Sequence, residues 1–208
     1  MELTFNQVEA VFAARFDIPA DRAVAFRGRL QHLQRLNFPT GVNTGRGTKA
    51  VYGWTQLIQL MVALDLIDLG MTPDVAAKSV MPSTDRLIAA IYEVASSFES
   101  ARALAKAFKR ARCPFGKTQI AIASAYALTF PQAAGEGKAL IMTLAGSSFT
   151  QRLTDDPEIE PAAAFINHGA RLMVVAQFVG RISSIEPIEL AEDLLQWSSH
   201  WASEDTLS

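Results

Sequence analysis

Four side chains near the start of the chain have types and a spacing suited to one kind of chemistry. Arg27, Gln31, Gln34 and Arg35 fall at i, i+4, i+7 and i+8, one face of a helix. Guanidinium and carboxamide groups hold guanine and adenine edges through paired hydrogen bonds, and a helix fits the major groove of duplex DNA. Shortly after them, Asn43, Thr44, Arg46 and Lys49 surround Gly45 and Gly47. Glycines let backbone amides come close to phosphates, and an arginine at such a tip can enter the minor groove. Arg22 and Arg29 add positive charge, and Tyr52, just past the glycines, joins the expected DNA contacts. Arg29 sits at the edge of an apolar stripe, where phosphate contact competes with an internal ion pair or with snorkelling.

The charge around these residues is uneven. Residues 22–64 contain Arg22, Arg27, Arg29, Arg35, Arg46 and Lys49 and no carboxylate until Asp65. A second acid-free stretch holds Arg102, Lys106, Lys109, Arg110, Arg112 and Lys117, whereas the last 27 residues hold six acids and neither Lys nor Arg. Residues 1–117 have 15 basic and 10 acidic side chains and residues 118–208 have 4 and 11, which sums to the net −2. A local cationic surface attracts a polyanion, while an acidic remainder keeps a molecule dispersed.

The elements that must position these groups follow from hydrophobic period. Phe5, Val8, Val11, Phe12 and Phe16 predict a first helix over about 6–16 with Thr4 or Asn6 as its cap. A turn at Ile18–Asp21 leads into a second helix, to about Leu36, with Ala23, Phe26, Leu30 and Leu33 on its apolar stripe. Turn residues at 43–47, between Phe38 and Val42 on one side and Val51 and Tyr52 on the other, predict a short β-hairpin. A buried helix from Thr55 to Leu69 and a shorter one opened by Thr72-Pro73-Asp74 follow. Leu87, Ile91, Val94, Phe98, Ala101, Ala105 and Phe108 alternate steps of four and three, the seam of a long helix over 84–112 packed lengthwise on another. Beyond it, alternation at Tyr126, Leu128 and Phe130 and at Leu140, Met142 and Leu144 predicts two strands. Residues 165–179 and 188–201 are expected to be helical.

Other chemistry lacks its residues. Gly116-Lys117-Thr118 ends like a phosphate loop, but Ala111 stands where such a loop needs glycine. Cys113 is the single cysteine and His32, His168 and His200 are scattered, so no metal-ligand pattern forms. Asp155, Asp156, Glu158 and Glu160 flank Pro157 and read as a solvated loop. Nothing points to an enzyme, a cofactor or a metal. The apolar run Leu57–Leu69 is interrupted by Gln59, Asp65 and Asp68 and is too short to cross a bilayer, and the first residues lack a secretory pattern. A cytoplasmic, nucleoid-associated protein without membrane contact is expected.

In order and spacing, residues 7–80 resemble the MerR family of bacterial transcription regulators. The features that carry the resemblance are two helices joined by a turn, a wing around Gly45-Arg46-Gly47, Tyr52 before Trp54-Thr55, and the Leu69-Gly70-Met71-Thr72-Pro73 turn, with the seam at 87–108 behind them. The resemblance implies a mainly α fold with a small β component. Residues 1–82 would form a winged helix-turn-helix that binds double-stranded DNA, and residues 83–208 a dimerisation and regulatory domain, with a long helix over 84–112 and then α+β. It further implies a homodimer joined through the seam, with RNA polymerase or another regulator as a partner. A small-molecule sensor or protein adaptor built on the same module is the alternative, together with an architectural DNA-binding protein of phage or plasmid type.

Overall fold

The structure is a computed structural model that describes residues 1–42, 49–111, 126–131, 139–144 and 164–204. Helix α1, Phe5–Arg15, begins with a capping box in which the Thr4 hydroxyl accepts from the Gln7 amide and the Gln7 side chain accepts from the Thr4 amide. Its Val8, Val11 and Phe12 are buried. A single 3-10 turn, Ala20–Arg22, leads into α2, Ala23–Arg35, whose Phe26, Leu30 and Leu33 face the core. Helix α3, Trp54–Asp68, is buried without a break from Leu57 to Leu66.

These three helices end the same way. Asp17, Asn37 and Gly70 each take a left-handed conformation, with φ of 49°, 58° and 99°. The next amide then reaches back to a carbonyl of the last turn: Ile18 to Ala13 at 2.9 Å, Phe38 to Leu33 at 3.0 Å and Met71 to Leu66 at 3.0 Å. Asp, Asn and Gly are the residues that tolerate this conformation, so the sequence sets each exit.

Helix α4, Pro73–Val80, starts on a Thr72 cap with proline in the first turn. A 3-10 turn, Met81–Ser83, joins it to α5, Thr84–Ser96, and α6 follows at Ala101–Arg110. The long helix expected over 84–112 is therefore two helices. Serine causes the interruption: the Ser96 and Ser97 hydroxyls donate back to the Tyr92 and Val94 carbonyls at 2.6 and 2.7 Å. Ser100, in an extended conformation, then caps α6 by accepting from the Ala103 amide at 3.3 Å.

Strands β3, Tyr126–Pro131, and β4, Ala139–Leu144, pair antiparallel with Tyr126 opposite Leu144. β5, Ala164–Asn167, lies on the other side of β3, giving the order β4-β3-β5. The helix expected from 165 thus starts three residues later. α7 spans His168–Ser183, with the Asn167 side chain accepting from the Ala170 amide at 2.8 Å, and α8 spans Pro187–Glu204.

The hairpin expected over 38–52 is not the pairing observed. β1, Leu3–Thr4, pairs antiparallel with β2, Val51–Tyr52. Phe38 and Val42 are buried but belong to no strand. The left-handed Asn37 turns the chain, and Gln59 then fastens the loop. Its Oε1 accepts from the Thr40 amide at 2.9 Å, and its Nε2 donates to Thr84 Oγ1 at 2.8 Å.

One core runs from Leu3 to Leu194, so it is not divided at the boundary expected at residue 82. Asp193 of α8 ties the two parts of the chain, accepting from Trp54 Nε1 and from the Met1 amino group, each at 2.7 Å. Leu87, Ile91, Val94, Ala105 and Phe108 are buried, and Phe98 and Ala101 pack against the same core. Their partners are α7 and α8 of the same chain. The seam expected to join two copies is filled within one. Among the described residues no helix is long and apolar enough to cross a membrane.

Candidate nucleic-acid interface

The capped and fastened α1–α2 unit holds one face of α2 away from the core. Gln31 and Arg35 are exposed on it, and Arg29 at the edge of the buried stripe, Arg22 just before α2 and Lys49 ahead of β2 are exposed elsewhere. Among the described residues no ion pair forms at these four cations. Two of the expected base-reading residues are placed differently. Arg27, 44% exposed, pairs with the Glu9 carboxylate of α1 and lies over the Phe5 ring at 5.1 Å. Gln34 donates to the Tyr52 hydroxyl. Tyr52 is 1% exposed, so it belongs to the core rather than to a surface. Burial pushes its phenol above the ordinary value, against the opposing hydrogen bond from Gln34. Asn43, Thr44 and Arg46 lie outside the described residues.

The geometry adds two residues that sequence reasoning passed over. Val24 is 83% exposed, and beyond Gly28 there is open space where a side chain would stand. With Gln31 and Arg35 they form the outermost line of α2, at i, i+4, i+7 and i+11. The signal was present: Val24 falls off the stripe of Phe26, Leu30 and Leu33, an apolar residue with no core position to fill.

A second charged group braces this unit from inside. Arg15 of α1 and Asp65 of α3 form an ion pair whose side chains are 1% and 4% exposed, and Arg171 Nε of α7 stands 3.8 Å from the same carboxylate. Burial pushes Asp65 above the ordinary carboxylate value, while Arg15 and then Arg171 pull it down. His168, in the first turn of α7, is fully buried, and among the described residues neither ring nitrogen has a hydrogen-bond partner. Burial, and then the Arg171 and Arg15 charges, bring its pKa down to about 4. The imidazole is neutral at physiological pH. An arginine in line with Val8, Val11 and Phe12, and an aspartate within the buried run Leu57–Leu66, are the marks by which this group shows in the sequence.

Two hollows border the helices. A cleft of about 760 Å³ lies between the start of α3 and α8, lined by Trp54 and Trp197, whose rings pack together with centroids 6.5 Å apart, and by Gln56, Asp193, Gln196 and His200. A smaller one of about 340 Å³ lies beside Phe108, Lys109, Gly180, Arg181 and Glu186. Among the described residues no group of three or more His, Cys, Asp or Glu could hold a metal ion. No family model matches the chain, and no curated protein or solved structure matches it either.

Proposed function

We propose that the chain is a regulator of transcription that reads double-stranded DNA with the outward face of α2. One observation carries the reading: this face presents Gln31 and Arg35 in solvent and α2 holds no carboxylate, while its opposite side is fixed by Phe26, Leu30 and Leu33, with Arg29 and Arg22 exposed at the far edge of that stripe. Gln31 and Arg35 suit adenine and guanine edges in the major groove. Val24 suits a thymine methyl, and Gly28 removes the side chain that would hold the helix backbone off the bases. Arg22, Arg29 and Lys49 suit phosphates, which fix register without reading sequence. The winged helix-turn-helix form and the regulatory role rest on the MerR resemblance. Arg27 and Gln34 are assigned instead to holding α2 on α1 and β2.

The test is fluorescence anisotropy with labelled duplexes, first of random sequence and then selected from a library, over a series of salt concentrations. Log affinity should fall linearly with log salt by about 0.9 for each phosphate met. Lys49→Ala should weaken all sequences alike. Gln31→Ala and Arg35→Ala should relax base preference. Equal affinity for all three variants and the unaltered chain would overturn the reading. The Trp54–Trp197 cleft favours a second role as a ligand-responsive regulator. A small aromatic or cationic molecule that quenches tryptophan fluorescence and shifts duplex affinity would support that role.

A further inference from the structure

Helix α6 repeats the spacing of the α2 face with different chemistry. Arg102, Lys106, Lys109 and Arg110 stand at i, i+4, i+7 and i+8, all four exposed. We propose that this stripe is a second contact for the phosphodiester backbone of duplex DNA, one that holds the nucleic acid without reading its sequence. The proposal shares its partner with the α2 reading but rests on a separate helix and separate observations.

Among the described residues, no ion pair within the fold accounts for the stripe. No acidic residue occurs in α6. Arg102–Lys106 and Lys106–Arg110 are like-charge pairs one turn apart, which repel. Arg102 sits in the first turn, where the helix dipole disfavours a cation; only Lys109 and Arg110, in the last turn, agree with it.

The kind of partner follows from what the other side of α6 does. A basic amphipathic helix inserts into an anionic membrane through a free apolar face, and without one it is held there only by salt-screened charge. Here Leu104, Ala105 and Phe108 are 0%, 6% and 1% exposed, covered by α7 and α8. Binding is therefore left to charge alone. The stripe lacks the Asn or Gln that would read adenine, and Arg102 and Arg110 are assigned with Lys106 and Lys109 to phosphates. It is about 12 Å long, enough for about three phosphates of one strand. Glu186 and Arg181 border the hollow beside Lys109, so Lys109 is the member of the stripe with an acid at hand.

The experiment compares the full chain with a variant carrying Arg102→Ala, Lys106→Ala, Lys109→Ala and Arg110→Ala. Alanine favours the helix and leaves the buried side untouched, so circular dichroism should show an unchanged fold. The probes are a labelled 30-base-pair duplex of random sequence, the selected duplex, and vesicles of phosphatidylglycerol in phosphatidylcholine. The variant should bind the random duplex about tenfold or more weakly at low salt. Its salt slope should be shallower by about 0.9 for each cation that had met a phosphate. Its preference for the selected sequence should be retained, and Lys106→Arg with Lys109→Arg should bind like the unaltered chain. Unchanged binding of the random duplex by the alanine variant overturns the proposal, as does stripe-dependent binding to vesicles without binding to duplex. If Gln31→Ala and Arg35→Ala leave base preference intact while the α6 variant loses affinity, the α2 reading fails and this one stands. A chain that binds no duplex overturns both.

Discussion

Arg15 and Arg35 sit at the ends of consecutive helices and could not differ more in surroundings. Arg15 is 3% exposed, and an Asp65 carboxylate from the last turn of α3 meets it. Arg35 is in solvent, and among the described residues no acid pairs with it. The same guanidinium serves as a bolt in one place and is available to a partner in the other. Position against the apolar stripe decides which: Arg15 falls in line with Val8, Val11 and Phe12, while Arg35 falls opposite Phe26, Leu30 and Leu33. The inner group should govern stability and the outer one binding, and mutations can test whether the two can be separated.

The largest effect belongs to the inner pair. Asp65→Ala leaves a buried guanidinium without its acid, which should cost about 3–5 kcal/mol in a urea melt. Arg15→Met combined with Asp65→Leu should recover most of that loss, because an apolar replacement removes both desolvation penalties together. A single mutant within about 1 kcal/mol of the unaltered chain would mean that water reaches this pair, and that the inner group is not a bolt.

His168 comes next, and its sign is fixed by the direction of the shift. Its pKa is about 4 in the fold against an ordinary 6.5, so between these values the unfolded chain holds the proton more tightly. Stability should therefore rise with pH from about 4 to about 6.5 and level off above, by about 3 kcal/mol in all. Asp65, raised in the fold, contributes an opposite slope above its ordinary value. The measurement is thus the difference between the unaltered chain and His168→Leu, in which Asp65 is common to both. The difference in urea midpoint should depend on pH across that window; a constant difference would show that His168 is hydrated.

Much of the helical fold was legible in the sequence. Capping residues such as Thr4 and Thr72, the stop at Gly70 and the apolar run of α3 are local signals that act locally. What misled was signal whose meaning depends on distant partners. The seam from Leu87 to Phe108 shows that a neighbour is required, but not that α7 and α8 of the same chain supply it. Val51–Tyr52 has strand character in any context, and only the fold reveals Leu3–Thr4 as its partner instead of the stretch before it. On the candidate face, helical period found Gln31 and Arg35 but assigned Arg27 and Gln34 to the same role. Those two lie at its flank, within reach of Glu9 and Tyr52.

The outer face is where base preference should change. Arg35→Ala and Gln31→Ala should each cost about 1–3 kcal/mol of discrimination at one position of a selected duplex, with the urea midpoint unmoved. A shift of the midpoint together with affinity would join the inner and outer groups and remove the contrast.

Arg27 is the sharpest divider because it belongs to neither side cleanly. It is half in solvent, paired with Glu9 and stacked on Phe5, so it fastens α2 to α1 at the edge of the face. An exposed ion pair is worth about 0.2–1 kcal/mol, and Arg27→Ala should lose no more stability than that. Its effect on duplex binding should be smaller than that of Arg35→Ala, since a guanidinium must leave Glu9 before it can reach a base. Glu9→Gln separates the two roles. If Arg27 only fastens, this change should weaken the fold slightly and leave the duplex alone. If Arg27 reads DNA, freeing it from Glu9 should strengthen binding, and the boundary between brace and face would move one turn along α2.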